Sequence, residues 1–179
     1  MTYTLIAHTE LGSAQSSITF SSIPQTFTDL LLVVSGRNSD TLNGIVTQLN
    51  IQFNSVGSGY SDIAIEGTGS SVATGSRTSQ SVIRATALPN SASTSNTFGN
   101  VQIYIPNYTS SANKSVSIDG VSENNATQSF QTIVAGLWAN SAAITSINLS
   151  AQVGGNFVSG SSATLYGILK GSSGGVTVS

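Results

Sequence analysis

"NVQIYIP", residues 100–106, puts Val101, Ile103 and Ile105 on one side of an extended chain and Gln102 and Tyr104 on the other. An apolar period of two is the signature of a strand with one packed face. The same alternation runs through "QLNIQF" (48–53), where Leu49, Ile51 and Phe53 oppose Asn50 and Gln52. In "KSVSID" (114–119), Val116 and Ile118 oppose Ser115 and Ser117, and Ile147 and Leu149 share a face in "ITSINLS" (144–150). Further strands are expected near 2–7, 16–21, 82–88 and 162–169.

Two segments are apolar on both sides. "DLLLVVSG" (29–36) and "TIVAGLW" (132–138, with the single tryptophan, Trp138) read as central strands covered on both faces. Turn signals separate the strands: Asn43-Gly44, "SVGSGY", "LPNSAS", "IPNYTSSANK", "GGN" and "SGSS". The stretch 66–80, "EGTGSSVATGSRTSQ", and the stretch 89–97 read as surface loops, and Tyr60–Ile65 as a short helical turn. Short strands with Gly, Asn and Ser turns predict an all-β chain: one antiparallel, jelly-roll-like sandwich of roughly eight to ten strands. It would span 1–170, followed by a flexible tail at 171–179. The apolar "SSATLYGILKG" (161–171) closes the sandwich, with Gly167 permitting close packing or a bulge.

Composition restricts the chemistry. Of 179 residues only 7% are charged, with five basic and seven acidic side chains and a formal net charge of −2. The surface is therefore coated with Ser, Thr and Asn, which suits a protein held in an assembly. The basic residues Arg37, Arg77, Arg84, Lys114 and Lys170 are scattered singly, which argues against a nucleic-acid partner. There is no cysteine, no signal-peptide pattern and no apolar run that would cross a membrane as a helix.

Catalytic signatures are weak. His8 is the only histidine, and triads and most zinc sites need histidine with partners. "GSSGG" (171–175) matches a nucleophile elbow by letters but has no helix after it. The carboxylate pairs Asp62/Glu66 and Asp119/Glu123 are close in sequence, without the spacing of a calcium loop. Four sequons, at Asn107, Asn113, Asn125 and Asn148, are expected by chance in such a composition. The sequence thus predicts no enzyme, no cofactor and no metal. Tyr104, Tyr108 and Trp138 are candidate glycan-binding or interface aromatics, although core packing explains most of the aromatics.

Five stretches in order, "YTLIAHTELGSAQSSITFSSIPQTFTDLLLVVSGR", "IQFNSVGSGYS", "VQIYIPNYTSSANKSVSIDGVSENNAT", "LWANSAAITSINLSA" and "GNFVSGSSATLYGI", cover about residues 3–168. Together they resemble a family of tailed-bacteriophage virion proteins, common in phages of cyanobacteria and other aquatic bacteria. "SSATLYGI" and "IPNYTSSANKS" are the clearest markers. The resemblance implies a jelly-roll capsid decoration (cement) protein, commonly trimeric, on the exterior of the virion. Its partners would be the major capsid protein and copies of itself. The second function it implies is a tail- or fibre-associated module that recognises host surface polysaccharide. Contacts are expected from the N-terminal strand, from 66–80 and 89–97, and from the tail, where Val176 and Val178 alternate with Thr177 and Ser179.

Overall fold

A computed structural model describes residues 2–41, 44, 46–123, 129–152 and 154–169. The expected alternation becomes twelve strands: β1 (Thr2–Glu10), β2 (Ser17–Phe20), β3 (Asp29–Gly36), β4 (Val46–Phe53), β5 (Tyr60–Gly67), β6 (Val72–Gln80), β7 (Ile83–Pro89), β8 (Gly99–Ile105), β9 (Lys114–Ser122), β10 (Phe130–Trp138), β11 (Ile147–Ala151) and β12 (Ser162–Leu169). They pair antiparallel throughout, and no helix forms among the described residues.

The strands make two sheets. The larger runs β1-β12-β3-β8-β9-β10-β5-β6, and the smaller runs β2-β11-β4-β7. Without the strand pairs β5–β6 and β9–β10, the orders become β1-β12-β3-β8 and β2-β11-β4-β7. First and last strands are then adjacent, and successive strands alternate between sheets except for β4 and β7, which pair within the small one; this is the jelly-roll arrangement. The two additional pairs extend one sheet into a wing beyond the smaller sheet's edge strand, β7.

Residues of period two fill the space between the sheets. Leu30, Leu32, Val34, Val101, Ile103 and Ile105 from the large sheet meet Ile18, Leu49, Ile51, Phe53, Ile147 and Leu149 from the small one. An aromatic cluster locks one end: Phe53 of β4 lies against Tyr60 and Trp138, which pair across β5 and β10, with ring centroids 5.6–6.2 Å apart. The Tyr60 hydroxyl accepts the Phe53 N–H at 2.8 Å and donates to the Phe53 carbonyl at 3.2 Å. Burial pushes that phenol up to about 12.

Glycines let β7 cross the large sheet closely. Leu88 lies over Gly36 and Gly99, Thr86 over Gly120, and Ile83 over Gly136, one glycine in each of β3, β8, β9 and β10. A Cβ on Gly120 would come within 2.4 Å of Thr86 Oγ1, and one on Gly136 within 2.9 Å of Ile83 Cδ1. Gly167 works similarly on β12, where the Phe27 ring covers it. Close packing, not a bulge, is therefore the reason for that glycine.

Several sequence expectations need correction. The segment read as a helical turn at Tyr60–Ile65 is strand β5. The segment 66–80 is not a free loop but largely strand β6, hydrogen-bonded along β5. Neither segment read as covered on both faces is so: in β3, Leu31 and Val33 are half-buried and Ser35 exposed opposite the buried Leu30, Leu32 and Val34, and in β10, Thr132, Val134, Gly136 and Trp138 are buried while Ile133, Ala135 and Leu137 are exposed. The strand count is accordingly twelve rather than eight to ten.

Candidate functional site

The outward face of the large sheet is the most distinctive surface. One row of direct cross-strand neighbours reads Leu5, Tyr166, Leu31, Tyr104, Ser117, Ala135, Ile63 and Ser76, from β1 to β6. The next row includes Val33, Gln102, Asp119, Ile133, Ile65 and Thr74. Nine large hydrophobic residues are exposed among the described residues. Eight of them, Tyr3, Leu5, Ile63, Ile65, Val72, Val121, Ile133 and Leu137, lie on this face by strand register. Ile63 is 61% exposed and Val72 73%. The outer face of the small sheet presents Thr19, Asn148, Gln52, Ser150 and Gln48 instead. Apolar exposure is therefore concentrated on one side of the sandwich.

Small residues on β9 open a groove in that face. Ser115 and Ser117 lie between Tyr104 and Ile133, leaving a cavity of about 310 Å³. Among the described residues the face carries no lysine or arginine; besides tyrosine, its exposed titratable groups are His8, Glu10 and Asp119. His8 Nδ1 lies 2.8 Å from the Thr164 hydroxyl.

The three aromatics singled out in the sequence are not brought together. Trp138 and Tyr108 are fully buried and present no face to a ligand. The Tyr108 hydroxyl donates to the Pro24 carbonyl. Tyr104 alone reaches the surface, at the rim of the groove, where its hydroxyl donates to Asp29 Oδ2 at 2.8 Å. Burial, followed by that bond and the Asp29 charge, raises its pKa. Val176 and Val178 lie outside the described residues.

The basic residues have distinct fates. Arg37 is 9% exposed and clamps 93–97, donating to the carbonyls of Ser93, Thr94 and Thr97 at 2.8–3.1 Å. The expected contact loop there is thus held from inside. Lys114 is 1% exposed; its Nζ donates to the carbonyls of Ser110 at 2.7 Å and Ala112 at 2.5 Å, and burial lowers its pKa. Arg77 forms a two-pronged ion pair with Asp62, with Nε donating to Oδ1 at 2.9 Å and Nη2 to Oδ2. Arg84 differs. Among the described basic residues, only its side chain donates no hydrogen bond, and its Nε is buried without a partner.

Arg84 lines a cleft of about 190 Å³ along the edge of β7, where the wing runs past it. Asp62, Glu66, Arg77, Gln48 and Thr132 supply the other polar groups, over a floor of small residues such as Ala64, Gly75 and Ala85. Asp62 accepts a third hydrogen bond, from the Arg84 backbone N–H at 3.1 Å. Strand β5 places Asp62 and Glu66 on one face but about 13 Å apart along the backbone. They do not form a facing carboxylate pair of the kind glycoside hydrolysis uses. Sequence reading missed both Arg84 and the Ile63–Ile65–Ile133 cluster as surface features.

The jelly-roll sandwich is the class that this geometry defines. No protein-family model, no curated protein and no solved structure matches the chain.

Proposed function

We propose that the chain is a structural protein of a tailed-phage virion, a decoration protein that binds the outside of the capsid shell and stabilises it. The observation that carries this reading is the one-sided apolar face of the eight-stranded sheet. With strands about 4.8 Å apart and rising about 3.4 Å per residue, the face measures roughly 35 Å by 25 Å. That is on the order of the 800 Å² that each partner contributes to a standard protein interface. A face of this size that exposes eight large apolar side chains is a docking surface in soluble proteins, because leaving them wet costs solubility. The absence of lysine and arginine on it among the described residues favours a protein partner over nucleic acid. The resemblance of the sequence to phage virion proteins supplies the identity of that partner, the major capsid protein, with neighbouring copies of this chain beside it. Weak contacts per copy, repeated over a symmetric shell, give firm attachment.

The test is attachment to purified shells by Ile63→Lys and Ile133→Lys variants. Both residues are exposed, so the fold should survive. Attachment should fall at least tenfold for each. Wild-type attachment by both would remove this face from the function.

The second reading, a tail-associated module that recognises host polysaccharide, is favoured by one observation: the polar cleft beside β7.

A further inference from the structure

We infer that the cleft along β7 is a binding site for a small hydroxylated carboxylate, with the Arg84 guanidinium holding the carboxylate group.

The protein has five basic residues and seven acidic ones, and two of each line this cleft. Such convergence in a charge-poor chain needs a cause. Part of it is structural: Arg77, Asp62 and the Arg84 N–H form one closed set that seals the free edge of β7. The Arg84 side chain is left over. Burying the Arg84 Nε–H without an acceptor is unfavourable, and burial, reinforced by Arg77 and opposed by Asp62, already lowers the side chain's pKa. An incoming carboxylate supplies what is missing. Its two oxygens match the planar fork of arginine, which favours carboxylate over a diffuse anion.

The rest of the cleft sets the remainder of the ligand. Glu66 lies about 13 Å along β5 from Asp62, so the cleft is cationic at one end and acceptor-rich at the other. At that end the Thr132 hydroxyl donates to Glu66 Oε2 at 3.3 Å, and the Gln48 amide lines the wall. Mixed donors and acceptors of this kind suit hydroxyl groups. The volume of about 190 Å³ matches about six waters, the scale of one sugar ring or a short polyhydroxy acid. A uronic acid joins all these features: one carboxylate, several hydroxyls and a compact ring. The source is either a free acid or a uronate unit within a polysaccharide.

Titration of the whole protein with glucuronate, gluconate and a uronate oligomer, followed by amide chemical shifts, tests the site. Glucuronate should bind at millimolar concentration and shift the amides of Ala64, Gly75 and Ala85. Glucose and the methyl ester of glucuronate should not, since neither carries the charge. The ester control leaves the protein untouched and so survives any folding defect in a variant. Arg84→Gln should weaken glucuronate by on the order of tenfold to a hundredfold. Tighter binding of the oligomer than of the monomer assigns the site to a polymer, and equal binding to a free acid. Equal binding of the ester, unchanged binding by Arg84→Gln, or preference for a zwitterionic amino acid would overturn the inference. Shell attachment is measured separately and does not depend on these outcomes.

Discussion

Gly120→Ala should destabilise the fold by about 2–4 kcal/mol, because the cost of overpacking rises when backbone must move. The new Cβ would lie 2.4 Å from Thr86 Oγ1, 2.6 Å from its Cβ and 2.7 Å from its Cγ2. Rotating Thr86 does not relieve the contact with its Cβ, so β7 must lift from the large sheet. Lifting β7 also disturbs Leu88 over Gly36 and Gly99 and Ile83 over Gly136. All three close atoms belong to the Thr86 side chain, so Thr86→Gly removes the clash while losing some packing of its own. The double variant Gly120→Ala/Thr86→Gly should therefore be more stable than the sum of the two single changes, by about 1–3 kcal/mol of coupling. Urea unfolding of the four proteins measures this cycle. In a chain of this length each 1 kcal/mol shifts the melting temperature by about 2–4 °C, so Gly120→Ala should melt roughly 5–15 °C below the parent. A Gly120→Ala protein of parental stability, or a strictly additive cycle, would refute the close crossing of β7.

Tyr60 gives a pH prediction. Its folded pKa of about 12 lies above the ordinary value of 10.0, so the native state holds the proton more tightly than the unfolded chain. The associated stabilisation, about 3 kcal/mol for two pKa units, is fully present below pH 10 and lost as pH rises through 12. Tyr60→Phe should flatten alkaline unfolding in that window, as followed by denaturation at a series of pH values. Lys114→Met should lose about 1–3 kcal/mol, because the carbonyls of Ser110 and Ala112 lose a charged donor. Faster proteolytic cleavage within 106–113 is the expected signature. The folded pKa of Lys114 lies below its ordinary value, so its contribution grows more favourable as pH rises through that folded pKa towards 10.5, and the Met variant should lack this rise.

Strands with one buried face were legible because burial writes period two into the sequence. Val101, Ile103 and Ile105 of β8 and Val116 and Ile118 of β9 are buried where alternation puts them. Strand β6 escaped because it is exposed over most of its length; with nothing to bury, "VATGSRTSQ" carries no alternation. Strand β5 was misread for a geometric reason: residues four apart, such as Asp62 and Glu66, share a face in a helix and in a strand alike. For β10, the apolar residues on both faces were visible, but not which face lacks a cover. That depends on the small sheet having only four strands. The burial of Trp138 and Tyr108 follows from the core reading of aromatics, whereas Arg84 was invisible as a site residue. Its isolation arises only because Asp62 is taken by Arg77 and the β7 edge meets the wing.

Imaging of intact virions that carry this protein tests the functional reading most directly. Hundreds of copies on the shell exterior are expected, each with Ile63, Ile65 and Ile133 buried against the capsid or a neighbouring copy. A few copies at the tail, or that face turned to solvent in every copy, would contradict it.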